Sequence, residues 1–101
     1  MMFRVNCEFL GKRRSVTWRG GRLTGDSMLV RVLEADAKAC EAAGEVIGLA
    51  GSGVYAEGDY LADPHTALAF VRRSLENLGC TILSVEADIP PLPPVPPGAI
   101  A

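Results

Sequence analysis

Apolar and polar residues alternate over residues 3–9, with Phe3, Val5, Cys7 and Phe9 on one side and Arg4, Asn6 and Glu8 on the other. A period of two is that of a strand with one buried face. Leu10-Gly11-Lys12-Arg13-Arg14 reads as a tight basic turn. Val16 and Trp18, alternating with Ser15, Thr17 and Arg19, read as a second strand. Together they predict an antiparallel hairpin. Gly20-Gly21 ends the second strand or turns it again, since glycine supplies the positive φ that such turns need.

From Asp26 the period lengthens. Arg31, Glu34, Lys38, Glu41 and Glu45 recur at spacings of three and four, opposite Leu29, Val32, Leu33, Ala37 and Cys40. This is an amphipathic helix, with Asp26 as N-cap and Gly44 as its natural stop. The stretch Leu29–Leu33 is rich enough in β-branched residues to form a strand, but the polar stripe favours helix. Residues 46–50 read as a short buried strand broken by Gly51-Ser52-Gly53. Residues 54–62 read as loop, with a short strand at Val54–Ala56. Asp63-Pro64 is a cap followed by proline at the first helical position, where a missing N–H costs nothing. The stripe Ala67, Leu68, Val71, Leu75, Leu78 predicts a second helix, closed by Gly79. In the last strand, residues 80–88, Leu83, Val85 and Ala87 are expected on one face and Ile82 and Ser84 on the other.

The order β-β-α-β-(β)-α-β, with two one-faced helices, predicts a two-layer α+β sandwich. Its layers are a mixed β-sheet and two helices packed on one face. One α+β domain is expected over residues 1–88, followed by a proline-rich tail at 89–101. The tail repeats apolar-Pro-Pro three times, from Ile89 to Pro97. Its period matches the three residues per turn of polyproline II, so Ile89, Leu92 and Val95 fall on one edge of a stiff rod. PxxP matches abound, yet residues 74–101 contain no Lys or Arg to fix the orientation of a groove-bound ligand. The tail therefore reads as a strap that packs on this fold or on a second copy.

Charge changes the picture in one respect. The net charge is only −2, but residues 1–22 carry +5 and the remainder −7. A basic end is expected, made of Lys12, Arg13 and Arg14 with Trp18, Arg19 and Arg22 nearby. Cations beside an aromatic ring are the ingredients of a nucleic-acid surface, while the bland reading is a solvated turn with Trp18 in the core. Three widely spaced cysteines, Cys7, Cys40 and Cys80, fit buried free thiols in a reducing cytoplasm, not a disulfide framework or zinc site. The N-terminus does not read as a signal peptide, and no apolar run approaches a membrane span.

Candidate chemistry is sparse. Gly48–Gly53 follows a strand, but Val54-Tyr55-Ala56-Glu57-Gly58 is a poor helix start, and neither GKS nor GKT occurs. Glu57, Asp59, Asp63 and His65 gather three carboxylates and the single histidine, without a second histidine for a typical zinc set. Asp63 already has a capping role. The sequence thus points to a cytoplasmic, non-catalytic protein-interaction or oligomerisation domain with no cofactor and no metal. Its candidate contacts are Ile89, Leu92, Val95, Lys12, Arg13 and Arg14. Its expected partners are a second copy in a homodimer or an unidentified protein, and no membrane. One alternative is nucleic-acid binding through the basic hairpin. A second is a small enzyme or metal-binding protein with its site at 57–65.

Overall fold

A computed structural model describes residues 1–42, 47–49, 54–56 and 60–90. The expected hairpin is β1 (Met2–Phe9) and β2 (Lys12–Arg19), joined at Leu10-Gly11 with φ values of 53° and 74°. Lys12, Arg13 and Arg14 therefore begin β2 and do not form the turn. Gly20-Gly21, at φ 57° and 88°, reverses the chain again into a strand that the sequence reading did not separate, β3 (Arg22–Gly25). Only one of its four residues, Leu23, is buried, so β3 carries too little alternation to announce itself.

Helix α1 spans Ser27–Ala42 and opens on the predicted cap: Leu29 N–H donates to Asp26 Oδ1 at 3.0 Å. It buries Leu29, Leu33 and Ala37, while Val32 stays exposed. Gly44 lies outside the described residues. Two short strands, β4 (Ile47–Leu49) and β5 (Val54–Ala56), pair with each other in a separate two-stranded sheet. The strand expected over 46–50 thus stays out of the main sheet. Helix α2 spans Pro64–Leu78; Asp63 Oδ2 accepts from Thr66 N–H at 2.9 Å. Gly79, at φ 101°, ends it. The N–H groups of Gly79 and Cys80 donate to Glu76 O and Leu75 O, satisfying two orphan carbonyls.

Strand β6 (Thr81–Asp88) returns to pair with β1. The main sheet has the order β3-β2-β1-β6. Every pairing in it is antiparallel, where a mixed sheet was expected. A parallel neighbour would need a crossover between consecutive strands. Here α1, the β4–β5 hairpin and α2 are all spent between β3 and β6, and β6 enters beside β1 in the opposite direction. The pairing also shifts between Asn6 and Cys7: Asn6 faces Ser84, whereas Cys7 faces Ile82. Leu83 is the extra residue of a β-bulge and is 47% exposed. The bulge reverses the expected facing on its N-terminal side. Ile82 packs against the core with Val85, Leu83 turns out, and Ala87 is exposed.

Both helices cover one face of the sheet. Phe3, Val5, Cys7, Val16, Trp18 and Leu23 meet Leu29, Leu33, Ala67, Phe70, Val71 and Leu75 in one buried cluster. Tyr60, within the segment read as loop, is fully buried against Phe70 with ring centroids 5.5 Å apart. The helices are tied to each other by Ser74 Oγ, which donates to Asp36 Oδ2 at 2.7 Å. The α+β sandwich therefore stands, and among the described residues its second sheet face is bare.

Candidate interaction surfaces

The bare face has a residue map set by strand register. Even-numbered residues of β1 point outward, because Phe3, Val5 and Cys7 point into the core. Across the sheet, the outward residues form rows. Arg22, Arg19, Met2 and Asp88 make the first, and Thr24, Thr17, Arg4 and Glu86 the second. Ser15, Asn6 and Ser84 make the third, and Arg13, Glu8 and Thr81 the fourth. Arg4 donates to Thr17 Oγ1 at 3.2 Å and lies 3.8 Å from Glu86 Oε2. Asn6 Nδ2 donates to both Ser84 Oγ and Glu86 Oε2. This is a solvated polar ladder whose contacts are exposed and individually weak.

The cations do not gather at one end, as the charge split suggested. Strand β2 carries Lys12 and Arg13 near the Leu10-Gly11 turn and Arg19 at the other end of the sheet, beside Arg22. Arg14 is used internally. Its Nη1 lies 2.8 Å from Asp26 Oδ2, with the two side chains 17% and 20% exposed, and its Nε donates to Phe9 O at 3.2 Å. Its guanidinium also sits 6.0 Å from the centroid of the Phe9 ring. The helix-cap bond from Leu29 N–H and then Arg14 hold the Asp26 carboxyl below its ordinary pKa. Of the three basic residues singled out from sequence, Lys12 and Arg13 are exposed and Arg14 is a brace between β2 and α1. The spacing Arg14…Asp26 gave no hint of this, since it depends on β3 turning the chain back.

Trp18 is 2% exposed. It stacks on Phe3 with centroids 5.4 Å apart and planes 9° apart, and its Nε1–H donates to Leu61 O at 2.8 Å. A base could not stack on this ring without unpacking the core. At the hairpin tip, Leu10 adopts φ 53° and is 74% exposed.

The bulge opens a concavity of about 490 Å³, lined in part by Asn6, Arg13, Ser15, Leu83 and Ser84. Its central amide is already committed to Ser84 and Glu86. Cys7 lines it as well, but among the described lining residues there is no Asp, Glu or His to act as a base. Of the acidic and histidine segment, Asp63 caps α2 and His65 is half-buried in its first turn, while Glu57 and Asp59 lie outside the described residues. Among the described residues no three His, Cys, Asp or Glu groups could hold a metal ion. Most of the glycine-rich loop also lies outside them. Cys7 and Cys80 are buried and Cys40 half-buried. Burial, then the neighbouring Cys80, pushes the Cys7 thiol up to about 11, and burial raises Cys80 as well. Both are protonated and inert at neutral pH.

In the tail, Ile89 is half-buried just after β6, and Leu92 and Val95 lie outside the described residues. No helix among the described residues is long and apolar enough to cross a membrane. No family model matches the chain, and neither a curated protein nor a solved structure matches it.

Proposed function

We propose that this chain is a small, non-catalytic protein-interaction and oligomerisation domain whose proline-rich segment, residues 89–101, docks as a strap. The observation that carries this reading is where β6 ends. The edge strand runs into the apolar-Pro-Pro triplets with Ile89 already half-buried, as a first anchor would be. Nine residues of polyproline II extend about 28 Å and resist sharp reversal. A rod that leaves a sheet edge and cannot fold back tightly is suited to meeting a second molecule. Docking Leu92 and Val95 would contribute on the order of 1.5–3 kcal/mol each if fully buried, with little chain entropy left to lose.

Light scattering behind size exclusion tests this on the full chain and on a chain ending at Asp88. The full chain is expected to associate as its concentration rises, and the shortened chain to do so more weakly or to melt at lower temperature. A full chain that stays monomeric at high concentration, together with a deletion that changes neither melting nor mass, would overturn the proposal.

A further inference from the structure

The two edges of the main sheet match each other, and the acidic one does not match itself. Among the described residues, β3 and β6 each pair on one side only. The two-residue turns fix which backbone groups are spent. The residues flanking such a turn, Phe9 with Lys12 and Arg19 with Arg22, form the closely hydrogen-bonded pairs. Counting outward from them, Arg22 and Thr24 bond to β2, so the N–H and C=O groups of Leu23 and Gly25 face away from the sheet. On the other edge Ser84, Glu86 and Asp88 bond to β1, and those of Val85 and Ala87 face away. Two free residues thus stand at a spacing of two on either edge.

Side chains follow the same frame. Leu23 lies on the helix-covered face, as do Val85 and Ala87. Arg22 lies on the bare face, as do Glu86 and Asp88. The stretch that remains open is short and bracketed: the bulge at Leu83 distorts β6 before it, and Pro90 follows it. What is left, Ser84–Asp88, is about the length of β3.

Resting on the proposal that this is an oligomerisation domain, we infer that β3 of one copy pairs antiparallel with β6 of the next, in the register Arg22–Asp88, Leu23–Ala87, Thr24–Glu86 and Gly25–Val85. In that register the free backbone groups bond in two closely spaced pairs. The basic edge meets the acidic edge on the bare face, and Leu23 meets Ala87 on the covered one. Pairing β6 with β6 would instead bring Glu86 and Asp88 together with their own kind, which disfavours that twofold alternative, whereas β3 paired with β3 sets Arg22 opposite Thr24 or Asp26 and gains no Leu23–Ala87 or Arg22–Asp88 contact. The contact is head-to-tail, so it propagates from copy to copy and does not stop at a dimer. With four paired residues it is weak, and it weakens further as salt screens the Arg22–Asp88 contact.

Charge reversal in two separate chains tests the pairing. Arg22→Asp places two carboxylates in the contact and Asp88→Arg places two guanidiniums there, so each variant alone is expected to lose association by about tenfold or more. An equimolar mixture restores opposite charges at every contact and is expected to recover the wild-type mass distribution in sedimentation velocity at low salt. A third variant, Ala87→Pro, removes an outward N–H but no bond to β1, and is expected to leave melting largely unchanged while abolishing association. The inference is overturned if the wild type stops at a closed dimer. It is equally overturned if the mixture stays as dissociated as either variant, or if well-folded Ala87→Pro associates normally. Association that survives all three changes but is lost on removing residues 89–101 would overturn this pairing and leave the docking strap standing.

Discussion

Trp18 separates an interior role from a surface role more sharply than any other residue, because both are readable in one experiment. Replacing it by Phe keeps a ring over Phe3 but removes the Nε1–H bond to Leu61 O and part of the buried ring surface. The lost bond is worth about 1 kcal/mol net. A benzene ring in place of an indole forfeits roughly two buried carbons at about 0.8 kcal/mol each. The expected cost is therefore about 2–3 kcal/mol, a large share of the ~5–15 kcal/mol that stabilises a domain of this kind. Urea unfolding followed by circular dichroism measures it as a lowered midpoint at constant slope. Lys12→Ala and Arg13→Ala, which remove exposed side chains, are expected to stay within about 0.5 kcal/mol of wild type. Since the chain contains a single tryptophan, the wild-type protein reports on the same point without mutation. Its emission should be blue-shifted and resist iodide quenching until the domain unfolds. A Trp18→Phe midpoint equal to those of the lysine and arginine variants, or free quenching in the native state, would refute the buried placement. Either result would return the ring to the candidates for base stacking.

Arg14→Ala is expected to lower the urea midpoint further than Lys12→Ala or Arg13→Ala, because it alone breaks the brace to Asp26. Asp26 is held below its unfolded value of 3.8, so its contribution is present above that pH and is lost as the pH falls through the lower folded value. The gap between wild type and Arg14→Ala should therefore close in acid titrations of stability. The opposite sign applies to Cys7, whose folded value of about 11 lies above the ordinary 9.0. The stability it contributes below pH 9 is lost as the pH rises through about 11, and a Cys7→Ser variant should flatten the alkaline limb of the midpoint. Leu10→Asn is expected to raise the midpoint by about 0.5–1 kcal/mol equivalent, since Asn tolerates φ 53° in a two-residue turn and Leu does not, and no such gain should follow Leu10→Val.

Both helices were legible because each combined a one-faced stripe with a chemical start signal. The hydrogen bonds from Leu29 and Thr66 to Asp26 and Asp63 are those the caps implied. Strand β1 was legible because its alternation is uninterrupted. Where the reading failed, local sequence lacked the deciding quantity. Strand β3 has one buried side chain, so its existence depends on the Gly20-Gly21 turn closing onto β2. The facing of β6 depends on a bulge against β1, a relation between residues about eighty apart that no window contains. Tyr60 sits in a polar, glycine-flanked segment whose burial is set by the space above Phe70. The antiparallel character of the sheet follows from the direction in which β6 runs, because β1 and β3 both oppose β2 and so run the same way, and no local window sets that direction.

The charge split shows why composition located the right residues and misplaced them. A run of cations in the first 22 residues suggests one basic end only if those residues stay together. Two tight turns instead lay them over three adjacent strands, and strand geometry then sorts them by parity. Even positions of β1 and odd positions of β2 reach the bare face, Arg14 goes to the covered one, and Arg22 ends on an outer edge. Two of the acidic residues, Glu86 and Asp88, arrive more than 60 positions after Arg22 on the strand that closes the opposite edge. Part of the difference between the two halves of the chain therefore reappears at the two edges of one sheet, as Arg22 on one and Glu86 with Asp88 on the other. Solubility would be served equally by scattered charges. Opposite signs on the two edge strands of the main sheet do something scattered charges cannot: they set the acidic edge against itself while leaving it open to the other edge. That makes the edges, more than the hairpin tip, the place where this chain's charge asymmetry has structural consequence, and it makes the mixed-variant recovery the measurement on which the assembly reading stands or falls.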